Sequence, residues 1–381
     1  MQSRPKAPFR IQIIPVTYLA YFRSVTVGAH QYALSTGRAC LVDHWMPHEL
    51  EGSLERLIVR DRVQGLLVMA HSPAEERRFA RLSVPVVNLS NAVLKPRLHV
   101  VTQDDRAVGR KAAEHLRSCG CEHFAYWGEY GQRYAMLRRE GFCAALQPFV
   151  PILGEARENI DSPRQQHRRI RQFVARLPKH TGVFCCREWP AVGFIRAARE
   201  LGRTIPDDLA ILSAGEDDYL AHLESTPLSS VQLPAQEIGA EGLRQLCDLI
   251  EPGADRSLRI VELPVKGVSA KRSTDAIMCA DEAVARALNL IRSRLDSTAS
   301  EVAKAAGLSR TALQPRFKQV AGCGVYAYIR KTRAERARGL IRGSDLKLES
   351  VAQQCGLGSV QALHALTRRH FGCAPGALRA K

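Results

Sequence analysis

A seven-residue motif that occurs twice in the last quarter of the chain constrains the fold most. Residues 302–308 read VAKAAGL and residues 351–357 read VAQQCGL, so four of the seven positions are identical. In each copy small apolar residues precede a glycine, which can end a helix in the left-handed conformation. Ser309 and Ser359 follow as candidate caps for a second helix, and Thr298 with Glu301 forms a capping-box pattern before the first copy. Each copy therefore predicts a helix, a tight turn and a helix.

Apolar periodicity extends this prediction to an all-α domain. Helices are expected over residues 281–295, 298–306, 310–320, 325–341, 348–355 and 360–371. The second helix of each unit should bury one apolar face, formed by Leu313, Phe317 and Val320 in the first unit and by Leu363, Leu366 and Phe371 in the second. Pro315 lies inside the first of these helices, where it should kink or weaken the helix by about 3 kcal/mol.

The charge distribution indicates a polyanionic partner for the helical domain. The chain has a formal net charge of +17, and residues 281–381 hold 18 Lys/Arg against 7 Asp/Glu. A basic domain with two helix-turn-helix units is typical of proteins that bind double-stranded DNA, with the second helix of each unit in the major groove. The alternative for any one such helix is a solvated polar face. The side chains expected to face DNA are Arg310, Thr311, Gln314, Lys318, Ser359, Gln361, His364 and Arg368.

Residues 9–263 show a different pattern, in which short apolar strands alternate with amphipathic helices. Strands are expected over residues 65–69, 85–89, 123–127, 182–186 and 209–213, and helices over 108–117, 134–146, 164–177, 191–201 and 235–250. This alternation is typical of a parallel sheet with helices on both faces. The polar segment 267–275 separates the two patterns. We therefore divide the chain into an α/β domain (1–268), a linker (269–280) and the helical domain (281–381).

Both domains resemble known families. Residues 281–381 resemble the AraC/XylS DNA-binding domains through the repeated motif, the Ala-Glu-Arg-Ala of residues 334–337 and the stretch from Gly356 to Pro375. Residues 9–265 resemble the periplasmic-binding-protein-like ligand domains of LacI/GalR regulators, through segments such as 84–87, 101–110, 138–142, 205–212 and 227–231. The order of the two domains resembles that of regulators of xylose operons. The resemblance implies a two-lobed sensor domain that closes on a small molecule, a sugar, and dimerises.

The resemblance also implies the ligand-contacting residues, which we expect to be Arg23, Tyr134, Arg138, Glu188 and Asp217. Sugar recognition needs aromatic faces for C–H groups and charged groups that pair with hydroxyls. The sequence departs from the family where Arg187-Glu188 replaces the usual Asn-Asp pair and Gly215 replaces the usual Asp. These departures suggest a ligand other than a simple pentose, although surface ion pairs would also explain such residues.

Other classes of protein have little support. The sequence has no Gly-x-Ser-x-Gly, no phosphate-binding loop and no paired acid and base, so we expect no enzyme and no cofactor. The cluster His115, Cys119, Cys121 and His123 has an unusual spacing for zinc, and we expect no metal and reduced thiols. No apolar run is long enough to cross a membrane or to form a signal peptide, which indicates a cytoplasmic protein. We expect a homodimer, with RNA polymerase as a candidate further partner. The alternative is a ligand-binding protein whose DNA-binding domain has decayed or lost its specificity.

Overall fold

The structure is a computed structural model that describes residues 7–14, 20–42, 53–156, 162–215, 226–275 and 281–379. Its described residues form two six-stranded α/β lobes followed by a helical domain. No helix among them is long and apolar enough to cross a membrane.

Lobe 1 is built on a fully parallel sheet with the strand order β11-β5-β4-β3-β1-β2. Its strands are β1 (Phe9–Ile13), β2 (Ala39–Leu41), β3 (Gly65–Val68), β4 (Val86–Asn88), β5 (His99–Gln103) and β11 (Ile260–Leu263). Its helices are α1 (Ala20–Thr36), α2 (Leu54–Arg60), α3 (Pro73–Phe79) and α8 (Ala235–Ile250). Apolar residues of α1 and α8 cover one face of the sheet, and α2 and α3 contribute to the core on the other face.

Lobe 2 has the strand order β12-β10-β9-β8-β6-β7, in which only the β10–β12 pair is antiparallel. Its strands are β6 (His123–Glu129), β7 (Ile152–Ala156), β8 (Thr181–Cys185), β9 (Leu209–Ala214), β10 (Ser229–Gln232) and β12 (Gly267–Ser269). Its helices are α4 (Asp105–Ser118), α5 (Arg133–Leu146), α6 (Pro163–Ala175) and α7 (Glu188–Glu200). The chain crosses between the lobes after β5, after β10 and between β11 and β12, so the carboxyl ends of both sets of strands meet at one cleft.

Two glycines bring α4 and α5 unusually close together in lobe 2. A Cβ atom on Gly109 would lie 2.0 Å from the Arg138 carbonyl oxygen, and one on Gly141 would lie 2.0 Å from the Arg106 carbonyl oxygen. Real Cβ atoms do not approach backbone so closely, so neither site accommodates a side chain. This contact places Arg138 of α5 beside Asp105, the first residue of α4, at the cleft.

The helical domain contains two small cores that share one long helix. Its helices are α9 (Glu282–Ser293), α10 (Ala299–Ala306), α11 (Arg310–Ala321), α12 (Val325–Gly343), α13 (Leu348–Gln354), α14 (Val360–Phe371) and α15 (Pro375–Arg379). Val325 and Ile329 of α12 pack in the first core, whereas Ala337 and Ile341 pack in the second. With 19 residues, α12 spans about 28 Å and holds the two units apart.

The structure corrects two expectations. Residues 267–274, assigned mainly to the linker, form β12 and a 3₁₀ helix (Arg272–Thr274), because Ser273 and Thr274 are fully buried and hydrogen-bonded to lobe 2. Val320 is 41% exposed and does not belong to the buried face of α11. Pro315 is the sixth of the 12 residues of α11, and the helix continues through it. The expected weakening of this helix by Pro315 stays a prediction.

Candidate ligand cleft and DNA-binding interface

The cleft between the lobes is a cavity of about 640 Å³, a size typical of small-molecule sites. The polar and aromatic side chains around it are Tyr21, His71, Glu75, Ser90, Asn91 and Gln103 from lobe 1, and Glu129, Gln132, Tyr134, Arg138, Gln166, Arg187, Glu188 and Trp189 from lobe 2. Three of the expected ligand residues, Tyr134, Arg138 and Glu188, thus lie in the cleft.

The other two expected ligand residues have different outcomes. Arg23 is exposed on α1 and is not part of the cleft lining, because Phe22 and Val25 occupy the side of the helix that packs on the sheet. The expectation that Arg23 contacts the ligand therefore stays a prediction. Asp217 lies outside the residues that the structure describes.

A buried ion pair fixes the centre of the cleft. Arg138 Nε donates to Asp105 Oδ1 at 2.8 Å, and both side chains are almost completely buried. Asp105 also accepts from Asn91 Nδ2 at 2.7 Å and from Gln103 Nε2 at 2.8 Å, while a second Arg138 nitrogen donates to the Cys186 carbonyl oxygen. Burial opposes the charge of Arg138, but Asp105, together with Cys186 and Tyr126, raises the arginine pKa above its usual value. The pair and its amide partners therefore connect β5 and the segment after β4 of lobe 1 with α4 and α5 of lobe 2.

A second charged group borders the same cavity. Arg187 Nε lies 2.9 Å from Glu129 Oε2, and the Tyr134 hydroxyl donates to the same carboxylate. The Tyr134 ring also lies under the Arg138 guanidinium, 5.1 Å from ring centroid to Cζ. Trp189 is 53% exposed and lines the same cavity. This lining combines paired charges with aromatic surface.

Two cleft residues that the sequence did not reveal carry unused hydrogen-bonding atoms. His71 Nε2, from lobe 1, and Gln132 Oε1, from lobe 2, are buried and have no hydrogen-bond partner within the described ranges. Burial lowers the pKa of His71, with Glu75 opposing the shift, so the ring is neutral. A neutral imidazole and a carbonyl on opposite walls are suited to bind hydroxyl groups of a ligand between them.

The helical domain presents its expected recognition helices at the surface. On α11, Arg310, Thr311, Gln314 and Lys318 are exposed, while Leu313 and Phe317 are fully buried. The Gln314 amide lies against Gly324, where an added Cβ would come within 2.4 Å of Gln314 Nε2.

On α14, Gln361 and Arg368 are exposed and His364 is half-buried, above the buried Leu363 and Leu366. Ser359 has a structural role, since its hydroxyl accepts from the Ala362 backbone N–H at 3.2 Å and caps the helix. Ser309 caps α11 in the same way. Gly307 and Gly356 both adopt positive φ, at 70° and 64°, as the repeated motif predicts.

One cation of α11, Arg316, forms an ion pair within the helical domain. Arg316 forms a two-point ion pair with Asp281, at 2.6 and 2.7 Å, and Asp281 caps the start of α9. The hydrogen bond from Arg316 lowers the pKa of Asp281, with the backbone N–H groups of α9 adding to the effect. Arg316 therefore orients α11 on α9.

The sequence offered one candidate metal cluster, His115, Cys119, Cys121 and His123, at which we expected no metal. The residues that the structure describes contain no group of three or more His, Cys, Asp or Glu side chains arranged to hold a metal ion. His115 instead contacts Thr274 and Cys119.

Comparison with known proteins agrees with the two-part architecture. Residues 113–274 match the family described as periplasmic binding protein-like domain, and residues 302–381 match the family described as helix-turn-helix domain. The chain is 24% identical to the xylose operon regulatory protein of Escherichia coli K12 over 379 residues, covering 96% of this chain and 95% of that protein.

Solved structures show the same fold. A xylose-binding transcription activator matches with a TM-score of 0.65 and 22% identity over 98% of both chains. A LacI-type regulator from Alkaliphilus metalliredigens in complex with D-xylulofuranose matches with a TM-score of 0.54 and 18% identity, over 70% of this chain and 98% of that one. By the nature and order of its domains, the chain is a DNA-binding transcriptional regulator of the AraC type with a periplasmic-binding-protein-like sensor domain.

Proposed function

We propose that this regulator changes its operator binding when a neutral sugar binds between the two lobes. The observation that carries the proposal is the buried Asp105–Arg138 pair, whose arginine lines a cleft with aromatic side chains and unused polar atoms. Hydroxyl groups of a sugar would hydrogen-bond to these atoms, and Trp189 or Tyr134 would stack on its C–H face. The names of the relatives above, which refer to xylose and xylulofuranose, are consistent with this class of ligand.

The pairing of charges favours an uncharged sugar over a sugar acid. Both arginines of the described cleft lining contact a carboxylate, Arg138 with Asp105 and Arg187 with Glu129. A carboxylate ligand would have to compete with these pairs and would meet Glu75 and Glu188 in the same cavity. Burying such an unpaired charge is costly.

The test is a thermal-shift screen of the full chain with D-xylose, D-xylulose, D-ribose and cellobiose, and with D-glucuronate as a charged comparison. A sugar at 100 times its dissociation constant should stabilise the sensor by about 2.7 kcal/mol. Trp189→Ala should weaken binding without unfolding the sensor, because the side chain is half-exposed. Arg139→Ala, an exposed neighbour of Arg138 outside the cleft, is the matched control. Stabilisation by glucuronate alone would contradict the proposal.

We further propose that the regulator acts as a cytoplasmic homodimer without catalytic activity, and that it acts on RNA polymerase at its promoter. Two chains on neighbouring sites would raise the effective concentration of the second DNA-binding domain. Sedimentation of the full chain tests for a dimer. Transcription from a promoter that carries a DNA site selected by this regulator from random sequence tests for an effect on RNA polymerase. A gel-shift with genomic fragments distinguishes a working regulator from one whose DNA-binding domain has decayed.

A further inference from the structure

Lobe 2 contains a second cavity beside the ligand cleft, which we call the side cavity. It has a volume of about 620 Å³ and lies between residues of β6, β7, α5 and α6. Glu129 and Gln132 belong to the walls of both cavities. The cleft and the side cavity are therefore neighbours that meet at these two side chains.

Exposed apolar side chains are grouped around the side cavity. Four large ones line it and are between 37% and 57% exposed, namely Leu94, Tyr130, Met136 and Leu153. Single exposed apolar residues are common on protein surfaces, but a group of them around a concave surface is typical of a binding site. The rim of the side cavity therefore has the character of a surface that a ligand covers.

The inner wall of the side cavity is aromatic. The rings of Trp127 and Phe173 both line it and meet edge to face, with their centroids 5.1 Å apart. Gly154 of β7 leaves room for them, because a Cβ atom there would lie 2.6 Å from the Trp127 ring and 2.7 Å from the Phe173 ring. Trp127 Nε1 is buried and has no hydrogen-bond partner among the described residues. The wall thus combines ring surface with a polar group that the described chain leaves unused.

The junction between the two cavities carries one unused acceptor and one fixed carboxylate. Gln132 directly precedes α5, but its side chain forms no capping hydrogen bond, and its Oε1 atom is buried without a partner in the described ranges. Glu129 is held in place, since its Oε2 atom lies 2.9 Å from Arg187 Nε and accepts from the Tyr134 hydroxyl. Hydroxyl groups of a ligand that passes this junction can donate to both oxygens.

Charged side chains of both signs complete the lining of the side cavity, among them Glu155 of β7 and Arg169 of α6. A nitrogen of Arg169 donates to the Glu155 carbonyl oxygen at 3.3 Å, which holds the guanidinium at the wall. Aromatic rings that cover C–H faces, together with charged groups that pair with hydroxyls, are the combination that a sugar ring needs. The side cavity therefore repeats the chemistry of the cleft on the lobe 2 side of Gln132.

We propose that the side cavity is a second sugar subsite and that the ligand of this regulator is an oligosaccharide. One sugar ring lies between the lobes, and the next lies past Glu129 and Gln132, against Tyr130, Leu153 and the aromatic wall. A pentose ring is smaller than the ligands that fill sites of this volume, whereas two linked rings use both cavities. The inference rests on the proposed function, because it concerns the size of the sugar that the sensor binds.

The first measurement is calorimetric titration of the full chain with matched sugar pairs, D-xylose with xylobiose and D-glucose with cellobiose. In the pair that binds, the disaccharide should bind roughly tenfold more tightly than the monosaccharide, because the second ring adds a stacking contact and a hydrogen bond. A disaccharide that binds no more tightly than its monosaccharide would overturn the second subsite and leave the proposed function intact. Failure of all four sugars to bind would overturn the inference, and the wider thermal-shift screen would decide separately on the proposed function.

Two further probes test which kind of group the side cavity accepts. Phenyl β-D-xyloside places an apolar ring beyond the first sugar, and D-xylose 5-phosphate places an anion there. Xylobiose should bind more tightly than either of them. Tighter binding of the phenyl xyloside or of the phosphate would overturn the assignment of the side cavity to a second sugar ring.

Variants of the side cavity separate the two subsites. Tyr130→Ala removes an aromatic ring from the rim, and Leu153→Trp adds bulk to the wall; both wild-type side chains are half-exposed, so folding does not depend on them. Each variant should lower disaccharide affinity to that of the monosaccharide and leave monosaccharide affinity unchanged. The matched control is Ile152→Trp, because Ile152 is the neighbour of Leu153 in β7, points to the other face of the strand and does not line the side cavity.

The same titrations decide the outcome for these variants. Ile152→Trp should keep the tighter binding of the disaccharide. A disaccharide advantage that survives in both Tyr130→Ala and Leu153→Trp, or that is lost in Ile152→Trp as well, would overturn the second subsite.

Discussion

The ligand cleft and the recognition helices use their charges in opposite ways. In the cleft, Arg138 and Arg187 each lie within 3 Å of a carboxylate. On α11 and α14, Arg310, Lys318, Arg368 and Arg369 are exposed and have no ion-pair partner among the described residues. Paired, desolvated charges form a fixed frame for an uncharged ligand, whereas unpaired surface cations are available to a polyanion. The difference between the two regions therefore follows from what each has to bind.

The largest effect that this comparison predicts is the salt dependence of DNA binding. If the exposed cations of the full chain neutralise 6–10 phosphates, raising salt from 50 to 200 mM should weaken DNA binding by roughly 10³–10⁵-fold. Sugar binding in the cleft should hardly respond to the same change, since both arginines of the described cleft lining are already paired with carboxylates. Fluorescence anisotropy and calorimetry at matched salt concentrations measure the two affinities. A flat salt response of DNA binding would show that the cations do not contact phosphates.

The next largest effect is expected from the buried pair. Arg138→Ala leaves Asp105 buried without its charged partner. The variant should lower the unfolding free energy of the sensor by about 3–5 kcal/mol and abolish the response to sugar. Arg139→Ala should change stability by no more than about 0.5 kcal/mol. Urea unfolding followed by tryptophan fluorescence measures both. Equal stability of the two variants would contradict the role assigned to the pair.

Base recognition should give an intermediate effect. We expect Gln314→Ala and Gln361→Ala each to reduce discrimination at one base pair by about 1–3 kcal/mol, because an amide can pair with a base edge in the major groove. Lys318→Ala should weaken binding to all sequences alike. Selection from a randomised site, followed by sequencing, compares the preference profiles. Unchanged profiles of both glutamine variants would mean that other side chains of α11 and α14 read the bases.

The smallest expected effect is a difference in the salt dependence of DNA binding between variants of two cations on α11. Lys318 has no ion-pair partner in the described structure, whereas Arg316 is held by Asp281. Lys318→Ala should therefore reduce the slope of log affinity against log salt by about one, and Arg316→Ala should leave it nearly unchanged. Equal slopes for the two variants would show that the ion pair opens when DNA binds.

Much of the architecture could be predicted from the sequence because central strands and capped helices have strong local signals. The predicted strands correspond to β3, β4, β6, β8 and β9, whose residues are almost all buried and apolar. Edge strands such as β7 and β11 are half-exposed and lack a continuous apolar run, so they gave no comparable signal. Residues 271–274 looked like a linker because serine and threonine are typical of loops, but here their hydroxyls are buried in hydrogen bonds.

The site was less predictable because its parts are far apart in the sequence. Asn91, Gln103 and Asp105 converge on Arg138 only when β4, β5 and α4 are in place. The position of Arg23 near the end of β1 does not show which side of α1 faces the cleft, and the structure leaves this side chain exposed. His71 and Gln132 have no sequence signal of their own, and only the folded chain reveals their unused atoms.

The central claim, that sugar binding and DNA binding are coupled, is tested most directly by measuring sugar affinity with and without DNA. Because coupling is reciprocal, DNA must change sugar affinity by the same factor by which sugar changes DNA affinity. Calorimetric titration of the full chain with D-xylose, alone and with saturating selected DNA, should give affinities that differ by roughly 5–150-fold. Equal sugar affinities in the two titrations would contradict the account and leave the sensor domain without influence on DNA binding.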